Sequence, residues 1–463
     1  LKSLPGADYI QAGSTKACLP GTRVQLLEEV ADWVFAPGGT RLLILHGTAG
    51  KGKSAVAHTI ALRLSSMGVA VPFFAFNRAD LARRAHQLYP TLAEQLARSD
   101  HHYLEKLRTL SSSDLRTLDI LDQYERLISS LLRDHGALVP IVFVIDALDE
   151  CPHYGGSEIS TRAVLLNTLK SWISDTALHY NIRLLITTRP DEDICRTFDS
   201  RIKSTTWKSI DNAVGTEDDI HQFVEKRLGE HDASNLIDLV TTAAQSHFEC
   251  AAVLCRELTD ASNPKTAAER EEFIKDVRES PGKPLYKTYR AVLSQRLSRN
   301  WIPIYRQALA WVLAVRNPQP LVVFLDFAES WTESSRRKDL ASILASLGSL
   351  ISGASLGDDT PLRPLHTSFR DFVLDSEESN EFCVSRELAA ADSQLALVCF
   401  RIMSKRGNGL RYNLIKLSSP FVYKEEIKDL DGRLIEHISP GLRYACREIS
   451  AHLSRCANRN EGA

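Results

Sequence analysis

The stretch Gly47-Thr48-Ala49-Gly50-Lys51-Gly52-Lys53-Ser54 fills every required position of the pattern G-x-x-x-x-G-K-[ST]. The apolar run Leu42–Leu45 before it predicts a buried strand, and the apolar spacing after it predicts a helix that ends at Gly68. A strand, a glycine loop and a helix in this order turn successive backbone N–H groups toward a phosphate. The stretch therefore predicts a phosphate-binding loop, with Lys53 at the β- and γ-phosphates and the Ser54 hydroxyl on Mg²⁺. The alternative, a glycine-rich turn that matches by chance, is disfavoured by the flanking strand and helix.

The composition is that of a globular protein of several domains. The chain has 463 residues, of which 44% are hydrophobic and 25% charged, so we expect two to four domains of about 100–200 residues. No apolar run reaches the roughly 20 residues that cross a bilayer, and no signal-peptide core is present. The net charge of −2 gives no electrostatic reason for a nucleic-acid or anionic-membrane partner, so we do not expect nucleic acid, although a local basic patch stays open as the alternative.

The cysteines indicate a reducing compartment. There are 9 of them, an odd number, and none forms a C-x-x-C pair. This usage is typical of reduced thiols rather than of a disulfide framework or a zinc site, so we expect a cytoplasmic protein. The first residue is Leu1 rather than methionine, so we also expect a piece of a longer chain.

The order of apolar runs predicts an α/β domain followed by helical modules. Strand-like runs alternate with amphipathic segments up to about residue 210, which is typical of a mostly parallel sheet covered on both faces. After Gly215 helical periodicity dominates, and Thr216 with Asp219 resembles a capping box. Helices are predicted at 236–260, 285–299, 304–315, 338–351 and 368–374. The strand-like runs are Leu42–Leu45, Val69–Phe76, Ile141–Ile145, Leu184–Thr187, Thr205–Ile210 and a later one at Leu362–His366.

A second acidic element complements the phosphate loop. Asp146 ends the apolar run Ile141–Ile145, at the edge where open α/β sheets bind ligands. Because Mg²⁺ takes one or two carboxylates and keeps several waters, we predict Asp146 as the metal carboxylate. Asp149 and Glu150 are then available to orient and activate an attacking water. The alternative is an ordinary acidic turn after a strand.

Two further residues are candidates for phosphate contacts. Arg189 follows the next apolar run, where it could contact a γ-phosphate, although a loop pairing with Asp191 or Glu192 is the alternative. His366 comes just before a predicted helix, capped by Ser368, at a position suited to an anion. A histidine there is by itself more often a packing residue.

In this order and spacing, these segments resemble the NACHT nucleotide-binding proteins of the STAND class of P-loop ATPases. The likeness covers nearly the whole chain and is greatest to fungal members. It rests on the P-loop, on D-A-L-D-E at 146–150, on T-T-R at 187–189 and on H-T-S-F-R-D-F at 366–372. It also rests on C-L-P-G-T-R at 18–23, F-F-A-F-N-R at 73–78, L-Y at 285–286 and L-R-Y-A-C at 442–446.

The resemblance implies an architecture and several site residues. It implies a lead-in at 1–40, a NACHT nucleotide-binding domain at 41–215, a helical domain at 216–284, a winged-helix domain at 285–378 and a second helical domain at 379–463. The sheet would be of the additional-strand type, with the strand before Arg189 lying between the strand before the P-loop and the strand that ends at Asp146. Thr22 and Arg23 would lie near the adenine and ribose, and His366 would contact the ADP β-phosphate and hold a closed state.

One departure from the family concerns the segment Ala244-Gln245-Ser246-His247-Phe248. Family members often read A-x-G-L-F there, so Ser246 stands in place of a glycine. A serine argues against a close backbone approach at that position. No WD-like or ankyrin-like repeat follows, so we expect ligand sensing and the effector to lie outside this segment.

The function implied is that of an ATP/ADP-dependent switch with Mg²⁺. It would be closed with ADP and would self-assemble with ATP in NLR-like signalling, such as fungal non-self recognition, programmed cell death or innate immunity. Hydrolysis would be slow and would reset the switch, and whether it is measurable stays open. The alternatives are a metabolic P-loop kinase and a scaffold that binds nucleotide without hydrolysing it.

Overall fold

A computed structural model describes residues 16–78, 84–151 and 161–460, apart from short gaps at 112–113, 118, 134–135, 137–138, 200–201, 203, 212, 230–233, 262, 332–334, 355–356, 358, 418 and 420. The first 15 residues of the predicted lead-in thus lie outside the described residues. The chain divides into two compact units, with the boundary between Ala252 and Val253. Among the residues described, no helix is both long and apolar enough to cross a membrane.

The first unit is built on a five-stranded parallel sheet. Its strand order is β2-β3-β4-β1-β5, so β4 lies between β1 and β3 as the additional-strand type requires. The predicted α/β P-loop fold class, with helical modules after it, is confirmed. The strands are β1 Leu42–His46, β2 Phe73–Ala75, β3 Ile141–Asp146, β4 Ile182–Thr188 and β5 Thr205–Ser209.

Side chains of alternate strand residues pack into two hydrophobic cores, one on each face of this sheet. In β1, Leu42 and Ile44 pack in one core, whereas Leu43 and Leu45 pack in the other. Near-continuous apolar runs are therefore required, because both faces of each central strand are covered. Strand β2 is shorter than the predicted Val69–Phe76, since it begins only after Pro72, which has no N–H to donate.

Ten of the described α-helices lie within the first unit, and an eleventh, Phe248–Leu258, begins in it. Helix α2 starts directly at Lys53, and Gly68 follows its end with a φ of 80°, as predicted for a glycine stop. The predicted helix at 236–260 is wrong in its middle, because the chain turns at 245–247. The helices are α1 Val24–Phe35, α2 Lys53–Ser66, α3 Leu88–Ser99, α4 His101–Arg108, α5 Ile120–Tyr124, α6 Ser130–Leu132, α7 Thr161–Ser174, α8 Glu192–Thr197, α9 Thr216–Leu228, α10 Ser234–Ala244 and α11 Phe248–Leu258.

The second unit is mainly helical. The strand predicted at Leu362–His366 is only β7, Arg363–Pro364, paired antiparallel with β6, Ile351–Ser352. The helices Ala267–Glu279 (α12) and Leu321–Trp331 (α15) were not predicted, although Thr266 and Glu269 form a capping box at the start of α12. The helices are α12 Ala267–Glu279, α13 Pro284–Arg296, α14 Ile302–Ala314, α15 Leu321–Trp331, α16 Ser335–Ser346, α17 Thr367–Leu374, α18 Ser376–Ser379, α19 Ser385–Ser404, α20 Leu430–His437 and α21 Pro440–Asn460.

Candidate nucleotide-binding site

The P-loop, Gly47–Ser54, connects β1 to the N-terminus of α2. Gly50 and Gly52 have φ values of 80° and 91°, a region that side chains with a Cβ rarely adopt. Gly47 is required for a different reason, since a Cβ there would lie 2.6 Å from Ile210 Cγ2. The pattern glycines thus allow one sharp turn and one close approach, and they leave the loop N–H groups at a helix N-terminus.

The Lys53 ammonium lies within the curve of the loop. Its Nζ donates to the carbonyl oxygens of Gly47 at 2.7 Å and of Thr48 at 2.8 Å. Burial lowers the pKa of Lys53, an effect that the neighbouring carboxylates of Asp149 and Asp146 partly oppose. The charge of Lys53 is therefore held near the carboxylates of Asp146 and Asp149.

Asp211 fixes the first half of the P-loop, and the sequence reading missed it. Its Oδ1 accepts hydrogen bonds from the N–H and the hydroxyl of Thr48, both at 2.9 Å. Asp211 follows the end of β5 in the same way that Asp146 ends β3. The rule that drew attention to Asp146, an acid at the carboxyl end of a parallel strand, would have found it.

Asp146 is buried at the end of β3, where a threonine of β4 orients it. It is 4% exposed, and its Oδ1 accepts the Thr187 hydroxyl at 2.5 Å. The same hydroxyl oxygen accepts the N–H of Ala147 at 2.9 Å. Ala147 has a φ of 55°, which turns the chain sharply into the 3-10 turn Leu148–Glu150. Thr187 thus sets both the carboxylate and the turn that carries the next two acids.

Arg189 and Asp149, both predicted to act on the γ-phosphate side, form an ion pair. Arg189 Nε lies 3.2 Å from Asp149 Oδ2, and the Arg189 N–H donates to Asp149 Oδ1 at 3.1 Å. Asp149 is 4% exposed, whereas the Arg189 side chain is 28% exposed, so only the carboxylate of this pair is buried. The carboxylate of Asp191 instead accepts from Arg162.

Two arginines that the sequence reading missed hold the backbone of the acidic turn. Arg162 is fully buried and donates to the carbonyl oxygen of Asp149 at 3.1 Å. Arg78 donates to the same oxygen at 2.7 Å, and its N–H lies 3.4 Å from Glu150 Oε2. Glu150 is 9% exposed. No local pattern marks Arg162 as important, because its partners lie on other elements.

Arg23 connects the lead-in to the P-loop. Its Nη2 donates to the Lys51 carbonyl at 3.1 Å, and its Nη1 donates to the Thr216 hydroxyl at 2.7 Å. The expected capping box at the start of α9 is wrong, because Asp219 accepts the N–H of Arg23 instead. Thr22 is buried, and its hydroxyl donates to Leu19 O at 2.7 Å.

The turn between α10 and α11 lies close to the P-loop, although Ser246 in place of a glycine had put a close backbone approach there in question. Lys51 Nζ donates to the Ser246 carbonyl at 2.9 Å, and the Glu249 N–H donates to the Gly50 carbonyl at 3.1 Å. Gln245 and Ser246 have φ values of 47° and 60°. The expectation from the missing glycine was wrong because the serine itself adopts the left-handed conformation.

His366 lies in the second unit and caps α17. Its Nδ1 accepts the N–H of Ser368 at 3.1 Å and lies 2.5 Å from the Ser368 hydroxyl, which contacts the Tyr289 hydroxyl at 2.8 Å. The predicted serine cap is therefore wrong, since the histidine takes that role. With Nδ1 as an acceptor, the bonding pattern assigns the proton of the neutral ring to Nε2.

Residues 21–189 match the family model described as Nephrocystin 3, N-terminal. The match starts beside Thr22 and ends at Arg189, so it includes the P-loop and the acidic turn. It confirms the resemblance to a NACHT-like region of STAND-type proteins, without being specific to fungal members. The first unit accordingly contains a P-loop nucleotide-binding domain of ATPase type.

Comparison with solved structures returns origin-recognition and Cdc6 proteins at low similarity. The ORC1 protein of Aeropyrum pernix in complex with DNA has a TM-score of 0.38 and 17% identity, over 80% of this chain and 92% of that chain. Cdc6p from Pyrobaculum aerophilum has a TM-score of 0.39 and 13% identity, over 79% of this chain and 88% of that chain. A comparison with curated protein sequences finds no match.

The expectation against a nucleic-acid partner was wrong. It was drawn from a net charge of −2, yet a protein similar to this chain is described in complex with DNA. Net charge averages over the whole surface, whereas binding depends on the local arrangement of charges. A nearly neutral chain is therefore no ground for excluding nucleic acid.

Proposed function

We propose that this protein is an ATP/ADP-dependent switch that hydrolyses ATP slowly. The observation that carries the proposal is the grouping of Lys53, Asp146, Asp149 and Arg189 at the carboxyl edge of one parallel sheet. A half-buried cation, a buried carboxylate and an arginine–carboxylate pair beside a P-loop are suited to a nucleoside triphosphate. Each of these groups has a different task in binding the phosphates and in cleaving the terminal one.

Phosphate binding is the task of the P-loop and of Lys53. The loop N–H groups and the N-terminus of α2 offer donors and a partial positive charge to the β-phosphate. The Lys53 ammonium adds a full charge, which is stronger in a half-buried site than in water. Asp211 keeps the first half of the loop in place through Thr48.

The residues present fit a magnesium ion bound together with the nucleotide. No cluster of three or more His, Cys, Asp or Glu side chains suited to a metal occurs in the part of the chain that the structure describes. Mg²⁺ takes few protein ligands when phosphates and waters supply the rest, and the buried carboxylate of Asp146 is a donor of the kind it prefers. Ser54 and the buried Asp146 would hold the ion, which would neutralise charge on the phosphate oxygens when bound.

Slow hydrolysis follows from the ion pair of Asp149 with Arg189. The Asp149 carboxylate and the Arg189 guanidinium contact each other, so neither is available at the same time to a water or to a phosphate. The pair must open before Asp149 can accept a proton from water and Arg189 can contact the γ-phosphate. Glu150, whose Oε2 lies near the N–H of Arg78, is the second candidate base.

His366 is assigned the contact with ADP that keeps the protein closed. Its Nε2 proton is suited to a phosphate oxygen, and a charge-assisted hydrogen bond contributes about 1.5–3 kcal/mol. Moving an equilibrium from 1:99 to 99:1 needs about 5.5 kcal/mol, so this contact alone is too weak. An effector is therefore expected to supply the remainder before self-assembly in NLR-like signalling.

The test is to identify the nucleotide that copurifies with the full chain and to measure its oligomeric state. We expect ADP in the wild type, little nucleotide in Lys53→Ala, and less ADP with more oligomer in His366→Ala. His101→Ala is the matched control, since the His101 side chain is 84% exposed. Normal ADP retention and a monomeric His366→Ala variant would refute the role of the histidine, and no nucleotide in the wild type would refute the switch.

A scaffold that binds nucleotide without hydrolysing it is the second candidate. The Asp149–Arg189 pair favours it, because a pair that never opens leaves no base in place. Single-turnover assays with γ-labelled ATP separate the two. The switch predicts slow phosphate release that Asp149→Asn changes, whereas the scaffold predicts release at the rate of the uncatalysed reaction in both proteins.

A further inference from the structure

Three consecutive residues of the P-loop, Gly50 to Gly52, lie next to the α10–α11 turn at 245–247 and the start of α11. The Gly50 carbonyl accepts the Glu249 N–H at 3.1 Å, and Lys51 Nζ donates to the Ser246 carbonyl at 2.9 Å. At Gly52, a Cβ would lie 3.9 Å from the ring of Phe248, at the start of α11. These contacts join parts of the chain that lie about two hundred residues apart, since Lys51 and Ser246 are separated by 195 positions.

Lys51 is not explained by the phosphate-binding pattern. The pattern accepts any residue at its position, yet this lysine is only 7% exposed. Its ammonium bonds to the α10–α11 turn, and its carbonyl accepts Arg23 Nη2 at 3.1 Å. The guanidinium of Arg23 in turn lies 4.9 Å from the centre of the Phe248 ring. Lys51 thus belongs to a connected set of contacts around the start of α11.

The turn itself is held in an unfavourable conformation. Gln245 and Ser246 are consecutive residues with positive φ, and neither is a glycine. Residues of this kind are strained and persist only where their surroundings hold them. The hydrogen bond from Lys51 to the Ser246 carbonyl supplies one such restraint. When it is lost, the turn is free to relax.

The planar peptide bond links phosphate binding to this turn. The N–H of Lys51 and the carbonyl of Gly50 belong to one rigid peptide unit, as do the N–H of Gly52 and the carbonyl of Lys51. A phosphate that binds these N–H groups therefore also fixes the two carbonyl oxygens. One of them accepts from Glu249, and the other accepts from Arg23.

We propose that Lys51 is a positioning residue that couples the nucleotide-bound P-loop to the α10–α11 turn. This inference rests on the proposed function, because it requires a nucleotide at the P-loop. It adds a second way in which the bound nucleotide changes the conformation of the first unit, separate from the contact assigned to His366. A bound phosphate fixes the backbone of Gly50 and Lys51, and from this fixed backbone the Lys51 side chain holds the Ser246 carbonyl, so the order of residues 245–249 depends on ADP.

Hydrogen exchange followed by mass spectrometry tests this coupling on the full chain. ADP at a saturating concentration should slow exchange at 245–252 in the wild type, in Lys51→Arg and in the control Lys226→Met. In Lys51→Met, loss of a charge-assisted hydrogen bond predicts exchange at 245–252 at least about tenfold faster than in ADP-bound wild type. ADP should still slow exchange in α2 of that variant, and unchanged exchange in β3 shows that the fold is intact.

Two results would overturn the proposal. Equal protection of 245–252 by ADP in Lys51→Met and in the wild type would show that the lysine does not carry the coupling. Loss of all ADP protection from α2 in Lys51→Met, as expected for Lys53→Met, would make Lys51 a phosphate ligand instead. Absence of ADP protection anywhere in the wild type would refute the proposed function itself, which is a distinct outcome.

Discussion

Replacing Lys53 with methionine separates the effect of the ammonium group on folding from its effect on phosphate binding. Methionine keeps a long unbranched side chain but removes the charge and both hydrogen bonds, to Gly47 and Thr48. Burial lowers the pKa of Lys53, so its surroundings favour the neutral form even though Asp149 is nearby. The ammonium therefore costs free energy in the absence of a phosphate.

The expected size of the effect on folding is small. Two hydrogen bonds from a charged donor contribute about 1.5–3 kcal/mol each. Opposing them, desolvation of a buried ion costs several kcal/mol. Burial lowers the pKa of Lys53, so desolvation offsets at least part of what the two hydrogen bonds contribute. We expect Lys53→Met without nucleotide to be as stable as the wild type within about 1 kcal/mol, or more stable.

The expected effect on nucleotide binding is large. At a concentration one hundred times its Kd, ADP stabilises the wild type by about 2.7 kcal/mol. For a unit of this size, each kcal/mol raises Tm by about 2–4 °C, which gives a rise of roughly 5–11 °C. The variant should show almost none of this rise, since the main charge that faces the phosphates is gone.

Differential scanning calorimetry with and without ADP and Mg²⁺ measures both effects. Lys226→Met, on the exposed face of α9, is the control and should behave as the wild type. A rise in Tm with ADP in Lys53→Met equal to that of the wild type would refute the assignment of this lysine. A variant that melts far below the wild type without nucleotide would show that the ammonium stabilises the fold.

Three other changes have definite expected results. Gly47→Ala places a Cβ 2.6 Å from Ile210 Cγ2, so the P-loop must move. ADP binding should weaken about 5- to 150-fold, equivalent to about 1–3 kcal/mol. An unchanged Kd by titration calorimetry would show that the Ile210 side chain moves instead of the loop. Glu257→Gln removes the charge of a fully buried carboxylate with three donors, and urea titration should show a loss of about 3–5 kcal/mol, whereas the surface change Glu192→Gln should have no measurable effect. Burial lowers the pKa of His46, so as the pH falls through about 6.5 the unfolded chain takes up a proton that the folded chain does not, and stability decreases. His46→Gln should make the urea midpoint fall less between pH 7 and pH 5, and an identical fall in both proteins would contradict this.

Local patterns were sufficient to predict the P-loop domain. The glycine spacing, Lys53 and the apolar runs on either side all lie within one short stretch of the chain, so a local pattern contains them. The same holds for Asp146, since a buried strand of a parallel sheet must end where the ligand edge begins. These features depend on backbone conformation and on periodicity, which a single sequence contains.

The pairing of side chains at the site could not be predicted in the same way. Arg189 was expected to contact phosphate or a nearby acid of its own loop, but it pairs with Asp149, 40 positions away. Asp211 bonds to Thr48 across 163 positions. No period or local motif relates such residues, because the register of neighbouring strands decides which of their ends meet.

The P-loop, the α/β class and the acids at the end of β3 can be recognised in the amino-acid order. The pairing of Asp149 with Arg189, the bond of Asp211 to Thr48 and the contact of Ser246 with Lys51 become visible only in the folded chain. The two groups differ in the range of the interactions that form them. Turns, caps and buried strands are selected by residues close together in the chain, whereas ion pairs and loop contacts arise only after distant elements have packed.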